Sequence, residues 1–185
     1  MALEEIEERI KKCTLCPLHL TRKNAVPGDG NRNARIMFIG EAPGKNEDEA
    51  GKPFVGKAGQ FLDFALSDAG LERKDVYITN VVKCRPPNNR DPKDEEIEAC
   101  SPYLDEQIKE IKPGVICTLG KFATSYILSS YGFDMEPISR IHGRIYNVPV
   151  AMVKIIPMYH PAATIYNPAL KEQFLRDMRA VAGAL

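Results

Sequence analysis

Cysteine spacing gives this sequence its clearest chemical signal. Cys13 and Cys16 form a Cys-x-x-Cys pair, whereas Cys84 and Cys100 each stand alone farther along the chain. Cys117 lies in an apolar run, and we expect it to pack in the core as a small hydrophobic residue. The other four cysteines could form a metal site, include a redox pair or be unrelated thiols. We favour the metal site because four thiolates suit zinc or an iron–sulfur cluster. Two close pairs would be typical of a zinc ribbon, so this spacing favours the cluster.

The segment 51–58 nearly spells a phosphate-binding P-loop. Ala58 stands where that motif needs a Ser or Thr hydroxyl for magnesium, and the preceding segment 47–50 has the composition of an acidic loop rather than a strand. These two departures argue against nucleotide hydrolysis. The glycines still predict a tight turn at a helix start, where backbone N–H groups can hold an anion such as a DNA phosphate.

Residues with chemical potential also follow the apolar runs directly. Glu41, Asn80, Gly120 and His160 come at or just after the ends of four such runs. The runs are 36–39, 76–82, 115–119 and 152–159, and helical patterns occupy 4–12, 58–69, 94–111, 121–130 and the segment that opens at Asn167-Pro168. Strands that alternate with helices indicate a mainly parallel sheet covered on both faces. Ligands bind beyond the carboxyl ends of such strands, so these residues are candidates for a site.

Composition and charge set the broad class of protein. The chain has 185 residues, of which 44% are apolar and 27% charged, which predicts one domain over 1–185. No apolar stretch is long enough for a bilayer, and Met1–Arg9 lacks the pattern of a secretory signal. We therefore expect an intracellular protein without a membrane partner. The net charge is zero, but 22–35 and 83–90 are locally basic and 94–110 is an acidic helix face.

Six motifs, taken together, resemble those of the family 4 uracil-DNA glycosylases, the iron–sulfur type of archaea and many bacteria. They are Cys13-x-x-Cys16, Gly40-Glu41-Ala42-Pro43-Gly44, Lys52-Pro53-Phe54-Val55-Gly56, the segment Thr79–Pro92, Cys100 and His160-Pro161-Ala162-Ala163. No single motif is decisive, but the set occurs in the family's order over about residues 13–165 and is highly specific as a whole.

The resemblance implies both a fold and an activity. The expected fold is an α/β, three-layer α/β/α sandwich around a four-stranded parallel sheet. The expected activity is hydrolysis of the N-glycosidic bond between deoxyribose and a uracil that has been flipped out of DNA. The product is an abasic site for base excision repair.

The resemblance also implies a role for each pocket residue. Asn80 reads uracil, Phe54 stacks on the flipped base, and Glu47 crowds C5 so that the thymine methyl is excluded; Gly40 completes this uracil-binding group. His160 faces uracil O2 and stabilises the charge of the departing base. The backbone of Glu41 and Ala42 helps to place the attacking water. The classical uracil glycosylases carry an aspartate in this turn, where this chain has Ala42 and therefore no carboxylate. We therefore expect stabilisation of the departing base by His160 to contribute more to the rate than activation of the water.

The resemblance further implies a cofactor and a DNA-binding surface. Cys13, Cys16, Cys84 and Cys100 match the ligands of a [4Fe–4S] cluster, and Cys117 matches nothing. Predicted DNA contacts are Arg85, Arg90 and Lys93 on phosphates, Pro161, Ala162 and Ala163, and Ile165 or Tyr166 as a wedge in the groove. The expected partner is uracil-containing DNA, single- or double-stranded, bound by a monomer in the prokaryotic cytoplasm near the nucleoid. A sliding clamp or other repair proteins are further candidate partners.

Two rival functions belong to different classes. A related group of binding proteins traps uracil-DNA covalently through a Lys-Arg-Arg-Ile-His loop, but this chain has Lys83-Cys84-Arg85-Pro86-Pro87 after Asn80. A covalent adduct on a denaturing gel would distinguish that group. The other rival is a non-catalytic iron–sulfur or zinc protein that binds nucleic acid, and turnover of uracil-DNA would exclude it.

Overall fold

The computed structural model describes residues 2–185 and is built around one twisted sheet. Its strands lie in the order β1-β3-β2-β4-β6-β5. They are β1 (Asp29–Gly30), β2 (Ile36–Gly40), β3 (Tyr77–Asn80), β4 (Val115–Leu119), β5 (Tyr146–Val148) and β6 (Val153–Met158). The four central strands, β3, β2, β4 and β6, run parallel, as predicted.

The predicted strand count of four is too low, because the sheet has six. β1 pairs antiparallel with β3 and β5 pairs antiparallel with β6, one at each edge. These edge strands have two and three residues. A strand of that length contains too few residues for an alternating pattern to be recognised in the sequence.

Helices cover both faces of the sheet and give the three layers that were predicted. They are α1 (Leu3–Lys11), α2 (Lys45–Ala50), α3 (Lys57–Asp68), α4 (Asp94–Ile111), α5 (Lys121–Ser130), α6 (Ile138–Ile141), α7 (Pro161–Thr164) and α8 (Pro168–Ala182). One core joins α1, α4 and α5 to alternate strand residues such as Ile39 and Ile116. The other joins α3 and α8 to the intervening residues such as Phe38 and Cys117. Alternation along a strand sends successive side chains to opposite faces, which explains the two cores.

Several local predictions are confirmed, and one is wrong. Cys117 is fully buried in β4, and Asn167 caps α8 by accepting from the backbone N–H groups of Ala169 and Leu170. The segment 47–50 is not an acidic loop but the end of helix α2. Asp48, in that helix, is buried because its carboxylate accepts from the backbone N–H of Lys23 at 2.9 Å.

The parallel strands bring their carboxyl ends to one edge of the sheet. Gly40 and Asn80, the last residues of β2 and β3, are paired in register. Leu119 and Met158, the last residues of β4 and β6, are paired in the same way. Gly120 follows β4 with a φ of 88°, and a Cβ there would lie 3.1 Å from His160 Cβ. A glycine therefore allows the two turns to approach each other closely.

Candidate active site

The strand ends open onto a cleft of about 400 Å³, called here the strand-end cleft. Glu41 and Ala42 line it after β2, Asn80 lines it at the end of β3, and His160 lines it after β6. Three of the four residues predicted at the strand ends therefore line one cleft, whereas Gly120 does not. The other lining residues come from the α2–α3 region, the loop 86–90 and Ala162.

Asn80 presents an unpaired acceptor in this cleft. Only 2% of the residue is exposed, and its Oδ1 has no hydrogen-bond partner among the described residues. Gly40 lies beneath it: a Cβ on Gly40 would be 2.5 Å from Asn80 Oδ1 and 2.7 Å from Phe54 Cζ. A buried acceptor without a partner costs roughly 1–3 kcal/mol, which a ligand with a suitably placed donor recovers.

Phe54 is held in an unusual backbone conformation beside Asn80. It is a non-glycine residue with a φ of 50°, and its ring is stacked on that of His160 at a centroid distance of 5.8 Å. Arg73 fixes this turn from outside, because its guanidinium donates to the carbonyls of Phe54 at 2.8 Å and Pro53 at 2.6 Å. Gly59 supports it from below, where any Cβ would collide with the Phe54 carbonyl. The strain of a left-handed residue is thus balanced by specific contacts.

The Glu47 carboxylate organises the loop that carries Phe54. It accepts from the backbone N–H groups of Gly44 at 3.2 Å and of Val55 and Gly56 at 2.9 Å. Gly56 immediately precedes α3, so an anion does sit at this helix start as predicted from the glycines. That anion is Glu47 itself, and the predicted DNA phosphate would have to displace it.

His160 is oriented by its own helix. Its Nδ1 accepts from the backbone N–H of Ala162 at 3.1 Å, at the start of α7. In neutral imidazole the other nitrogen then carries the proton, so Nε2–H is the available donor. Burial lowers the pKa of His160 to about 4, against an opposing effect of Glu47. The ring is therefore a neutral donor at physiological pH.

The pKa of Glu41 is shifted in the opposite direction from that of His160. Burial, followed by the nearby carboxylate of Asp91, raises the pKa of Glu41 to about 7, and Lys121 opposes the rise. A carboxyl group with this pKa exchanges a proton near neutral pH. Glu41 is thus able to accept a proton from water, although half of its population is already protonated at pH 7.

The two arginines predicted to touch DNA have protein partners. Arg85 Nε donates to Asn89 Oδ1 at 2.7 Å, and Asn89 lines the strand-end cleft. Arg90 also lines the cleft, but its guanidinium forms two hydrogen bonds with Glu96, at 2.7 and 3.0 Å. Glu96 is buried, so the acidic helix face 94–110 is not exposed to solvent at this residue. Arg90 therefore borders the cleft directly, and Arg85 is held against a residue that lines it.

The segment after His160 forms α7 and divides by exposure. Ala162 and Ala163 are exposed and Ile165 is partly exposed, which leaves them accessible to a macromolecule. Pro161 is buried at the first position of the helix. Its burial argues against the predicted direct contact between Pro161 and DNA, because the ring is used to start α7.

Four cysteines line a second, apolar cavity, called here the cysteine cavity. Cys13, Cys16, Cys84 and Cys100 all face it, and Cys117 lies elsewhere, in the sheet. Within residues 2–185, no three His, Cys, Asp or Glu side chains form a group able to hold a metal ion. An iron–sulfur cubane takes one thiolate on each iron, so its ligands stand around a body rather than around one ion. The donor set therefore fits a cluster better than zinc.

Hydrogen bonds to sulfur support this fit. Arg22 Nη1 donates to Cys84 Sγ at 3.1 Å, and the Lys83 backbone N–H donates to Cys100 Sγ at 3.2 Å. Burial raises the pKa of the Cys100 thiol to about 11, against the effects of Lys83. Such donors stabilise thiolates that bind a metal, whereas the apolar lining favours neutral thiols when none is bound.

Sequence reasoning missed several residues that shape these sites. Arg73 lies 19 residues from Phe54, and no sequence pattern links the two. Asp91 and Lys83 lie within the matched segment 79–92, but only the structure shows that Asp91 faces Glu41 and that Lys83 is buried. Lys45 and Lys57 also line the strand-end cleft as cations that the sequence did not single out.

Comparison with known proteins decides the family. The profile of the Uracil DNA glycosylase superfamily matches residues 27–180. The type-4 uracil-DNA glycosylase of Saccharolobus solfataricus is 51% identical over 99% of this chain and 86% of its own length. The chain belongs to the type-4 uracil-DNA glycosylases. The type-4 uracil-DNA glycosylase of Archaeoglobus fulgidus is 48% identical, over 97% of this chain and 92% of its own length.

The comparison also separates this type from a neighbouring one. A type-5 uracil-DNA glycosylase of Pyrobaculum aerophilum is 30% identical over 89% of this chain and 84% of its own length. As a type-4 uracil-DNA glycosylase, this chain is a hydrolase that removes uracil from DNA for repair. Across residues 2–185, no helix has the length and apolar character needed to cross a bilayer.

Proposed function

We propose that Asn80 is the residue that recognises uracil in the strand-end cleft. The observation that carries this proposal is its buried and unpaired Oδ1. Uracil N3–H supplies the missing donor, and uracil O4 accepts from the Asn80 amide. Cytosine presents the reverse pattern at these two positions and leaves both partners unpaired, which strongly disfavours it. The flipped base stacks on Phe54, whose ring contacts that of His160.

His160 stabilises the departing base in this proposal. As the N-glycosidic bond breaks, negative charge develops on uracil O2, and the neutral Nε2–H of His160 donates to it. The contact between Ala162 N–H and His160 Nδ1 supports this role because it fixes the tautomer in advance. A donor that strengthens its bond as charge develops lowers the barrier rather than only the ground state.

Water activation has a smaller part. Glu41 and the Ala42 backbone place the attacking water, and Ala42 offers no carboxylate of its own. An oxocarbenium-like sugar captures water readily, so little base assistance is needed. Glu47, which lines the cleft, excludes the thymine methyl, and its carboxylate is held in place because it accepts from the backbone N–H groups of Val55 and Gly56.

We further propose that Cys13, Cys16, Cys84 and Cys100 hold a [4Fe–4S] cluster. When bound, the cluster supplies iron–thiolate bonds that join the segment after α1 to the segment after β3 and to α4. Shared access to the cysteine cavity supports this proposal. Cys117 takes no part, since it is buried in the core.

DNA binding rests on the surface around the cleft. Arg85 and Arg90 contact phosphates from the rim, and the exposed residues Ala162 and Ala163 with Ile165 enter the groove. The single domain over 1–185, the monomeric state, the nucleoid-associated location and any sliding clamp or other repair partner stay predictions. The neutral net charge favours local rather than global attraction to DNA.

A cleavage assay tests the proposal. Oligonucleotides with one uracil opposite guanine, opposite adenine or unpaired are incubated with the protein, and abasic sites are then split with alkali. We expect cleavage at uracil alone and its loss in Asn80→Ala, with matched thymine and cytosine strands intact. If Asn80→Ala still excised uracil, Asn80 would not be the residue that recognises the base. A covalent protein–DNA adduct without turnover would instead indicate the trapping type of binding protein.

A further inference from the structure

Lys83 is a buried cation that connects the strand-end cleft to the cysteine cavity. Only 1% of the residue is exposed. Its Nζ donates to the Asn80 backbone carbonyl at 2.6 Å, to Thr79 Oγ1 at 2.7 Å and to Gln107 Oε1 at 2.7 Å. Its backbone N–H donates to Cys100 Sγ, and Cys84 is the next residue. The side chain of Lys83 therefore bonds to the main chain of Asn80, the proposed uracil-binding residue. The backbone of Lys83 lies beside two proposed cluster ligands.

The hydrogen-bond pattern requires a charged amine. Thr79 uses its only hydroxyl proton on the Pro27 carbonyl at 2.6 Å, so it can only accept from Lys83. The Asn80 carbonyl is an acceptor, and Gln107 directs its amide N–H to Pro27, which leaves Oε1 for Lys83. Three acceptors need three N–H groups, and only the ammonium form of lysine provides them.

The ammonium has no carboxylate partner within residues 2–185. Its three acceptors are uncharged, and burial lowers the pKa of Lys83 to about 7, an effect that Cys100, Asp105 and Cys84 oppose. A buried charge without a counter-ion is strongly destabilising. Thiolates in the cysteine cavity would supply that counter-charge, since Cys84 is the next residue and Cys100 Sγ accepts from the Lys83 backbone N–H.

We propose that Lys83 is a positioning residue for uracil recognition and, at the same time, the counter-ion of the cluster thiolates. The proposal rests on the roles proposed above for Asn80 and the four cysteines. Lys83 fixes the Asn80 carbonyl at the end of β3, and the backbone N–H groups of Val81 and Val82 bond to the carbonyls of Gly40 and Glu41. Hydrogen bonds from the Lys83 ammonium and from the backbone of Val81 and Val82 therefore fix the turn that carries Asn80.

Replacement of Lys83 by an apolar residue of similar length tests both halves. In Lys83→Met, three buried acceptors lose their donor, one of them on Asn80 itself. We expect the single-turnover rate of uracil excision to fall about 100-fold, with little change in the Kd for DNA. The midpoint potential of the cluster should become more negative, because reduction adds charge that the ammonium no longer balances. Lys74→Met, at an exposed site, is the control and should change neither quantity.

A gentler pair of variants guards against a failure of Lys83→Met to fold. Thr79→Val removes one acceptor of Lys83 and should slow excision roughly tenfold. Thr118→Val is its matched control, since Thr118 is a buried threonine in β4 that accepts from Thr124 and has no contact with Lys83. Equal rates in these two variants would overturn the positioning role.

The two readouts separate this proposal from the proposed function. If Lys83→Met folds and keeps the wild-type excision rate and the wild-type midpoint potential of the cluster, the proposal for Lys83 is overturned. This holds even if Asn80→Ala abolishes uracil excision. A slow Lys83→Met protein with an unchanged potential overturns the counter-ion half. If the purified wild-type protein contains no iron, the counter-ion role of Lys83 is contradicted as well. The comparison of excision rates between Thr79→Val and Thr118→Val then decides its positioning role.

Discussion

The strand-end cleft and the cysteine cavity meet at the segment 80–84, yet they are built differently. Backbone turns form much of the cleft, and its key side chain, Asn80, leaves Oδ1 unpaired. The cavity is lined by apolar side chains, and three of its four sulfurs already accept a hydrogen bond from the protein. The comparison indicates that the cleft is prepared for a ligand that comes and goes, whereas the cavity suits a resident group.

Loss of the uracil reader should have the largest effect. Asn80→Ala removes both hydrogen bonds to the base and should lower the single-turnover rate about 1000-fold, because a site built to hydrogen-bond its substrate loses much when the bonds are absent. The stability of the protein should change little, since Oδ1 is unpaired without substrate. The measurement is single-turnover cleavage together with thermal unfolding. A large fall in Tm with a modest loss of rate would contradict a ligand-directed role.

Loss of a cavity thiol should give the reverse result, with stability affected first. Cys100→Ala should remove the absorbance of the cluster in the visible range and lower the free energy of unfolding by about 3 kcal/mol or more, as expected when a resident metal group is lost. Cys117→Ala is the matched control: it removes a fully buried thiol from β4 and should cost about 1–2 kcal/mol without a change in the spectrum. Identical spectra for both variants would remove Cys100 from the ligand set.

The pH profile should distinguish the two titratable groups of the cleft. Since the pKa of His160 is lowered to about 4, this group stays neutral from pH 8 down to about 5. The pKa of Glu41 is raised to about 7, so Glu41 becomes ionised only as the pH rises through that value. We expect the wild-type rate to change by less than about tenfold between pH 6 and 8, and Glu41→Gln to remove that change. A rate that rises tenfold per pH unit below 7 would instead make Glu41 an essential base.

The smallest effect is expected at the clamp on Phe54. Arg73→Ala releases the carbonyls of Pro53 and Phe54 and should lower kcat by roughly fivefold, because the left-handed turn is no longer fixed. Asp63→Asn is the control, since Asp63 pairs with Arg73 at 3.0 Å without touching the turn. An equal loss in Asp63→Asn would show that the salt bridge, rather than the two carbonyl contacts, is what matters.

The sequence predicted the long elements well and the short ones poorly. Strand β4 and helices α4 and α5 have the predicted bounds, because long periodic patterns record which face is buried. Strand β3 ends at Asn80 rather than at residue 82, since Val81 and Val82 bond to the last residue of β2 and to the residue after it, where the ladder stops. Edge strands β1 and β5 went unpredicted because strands of two and three residues are too short to show an alternating pattern.

The candidate site shows the same division. Strand ends identified Asn80 and His160, and motif resemblance supplied Phe54, Glu47 and the cysteine ligands. Arg73 acts through contacts with Pro53 and Phe54 that no local pattern encodes. The ammonium of Lys83 bonds to the nearby Thr79 and Asn80 but also to Gln107, 24 residues away. The burial of Pro161 likewise depends on the packing of α7, which the sequence did not reveal.

A direct comparison of His160→Ala with Glu41→Gln tests the central claim that stabilising the departing base matters more than activating water. Both variants are assayed under single-turnover conditions on the same uracil oligonucleotide at pH 7.5, after Tm measurement confirms that they are folded. We expect a loss of about 100- to 1000-fold for His160→Ala and of less than about tenfold for Glu41→Gln. Near-wild-type activity in His160→Ala together with abolished activity in Glu41→Gln would contradict it.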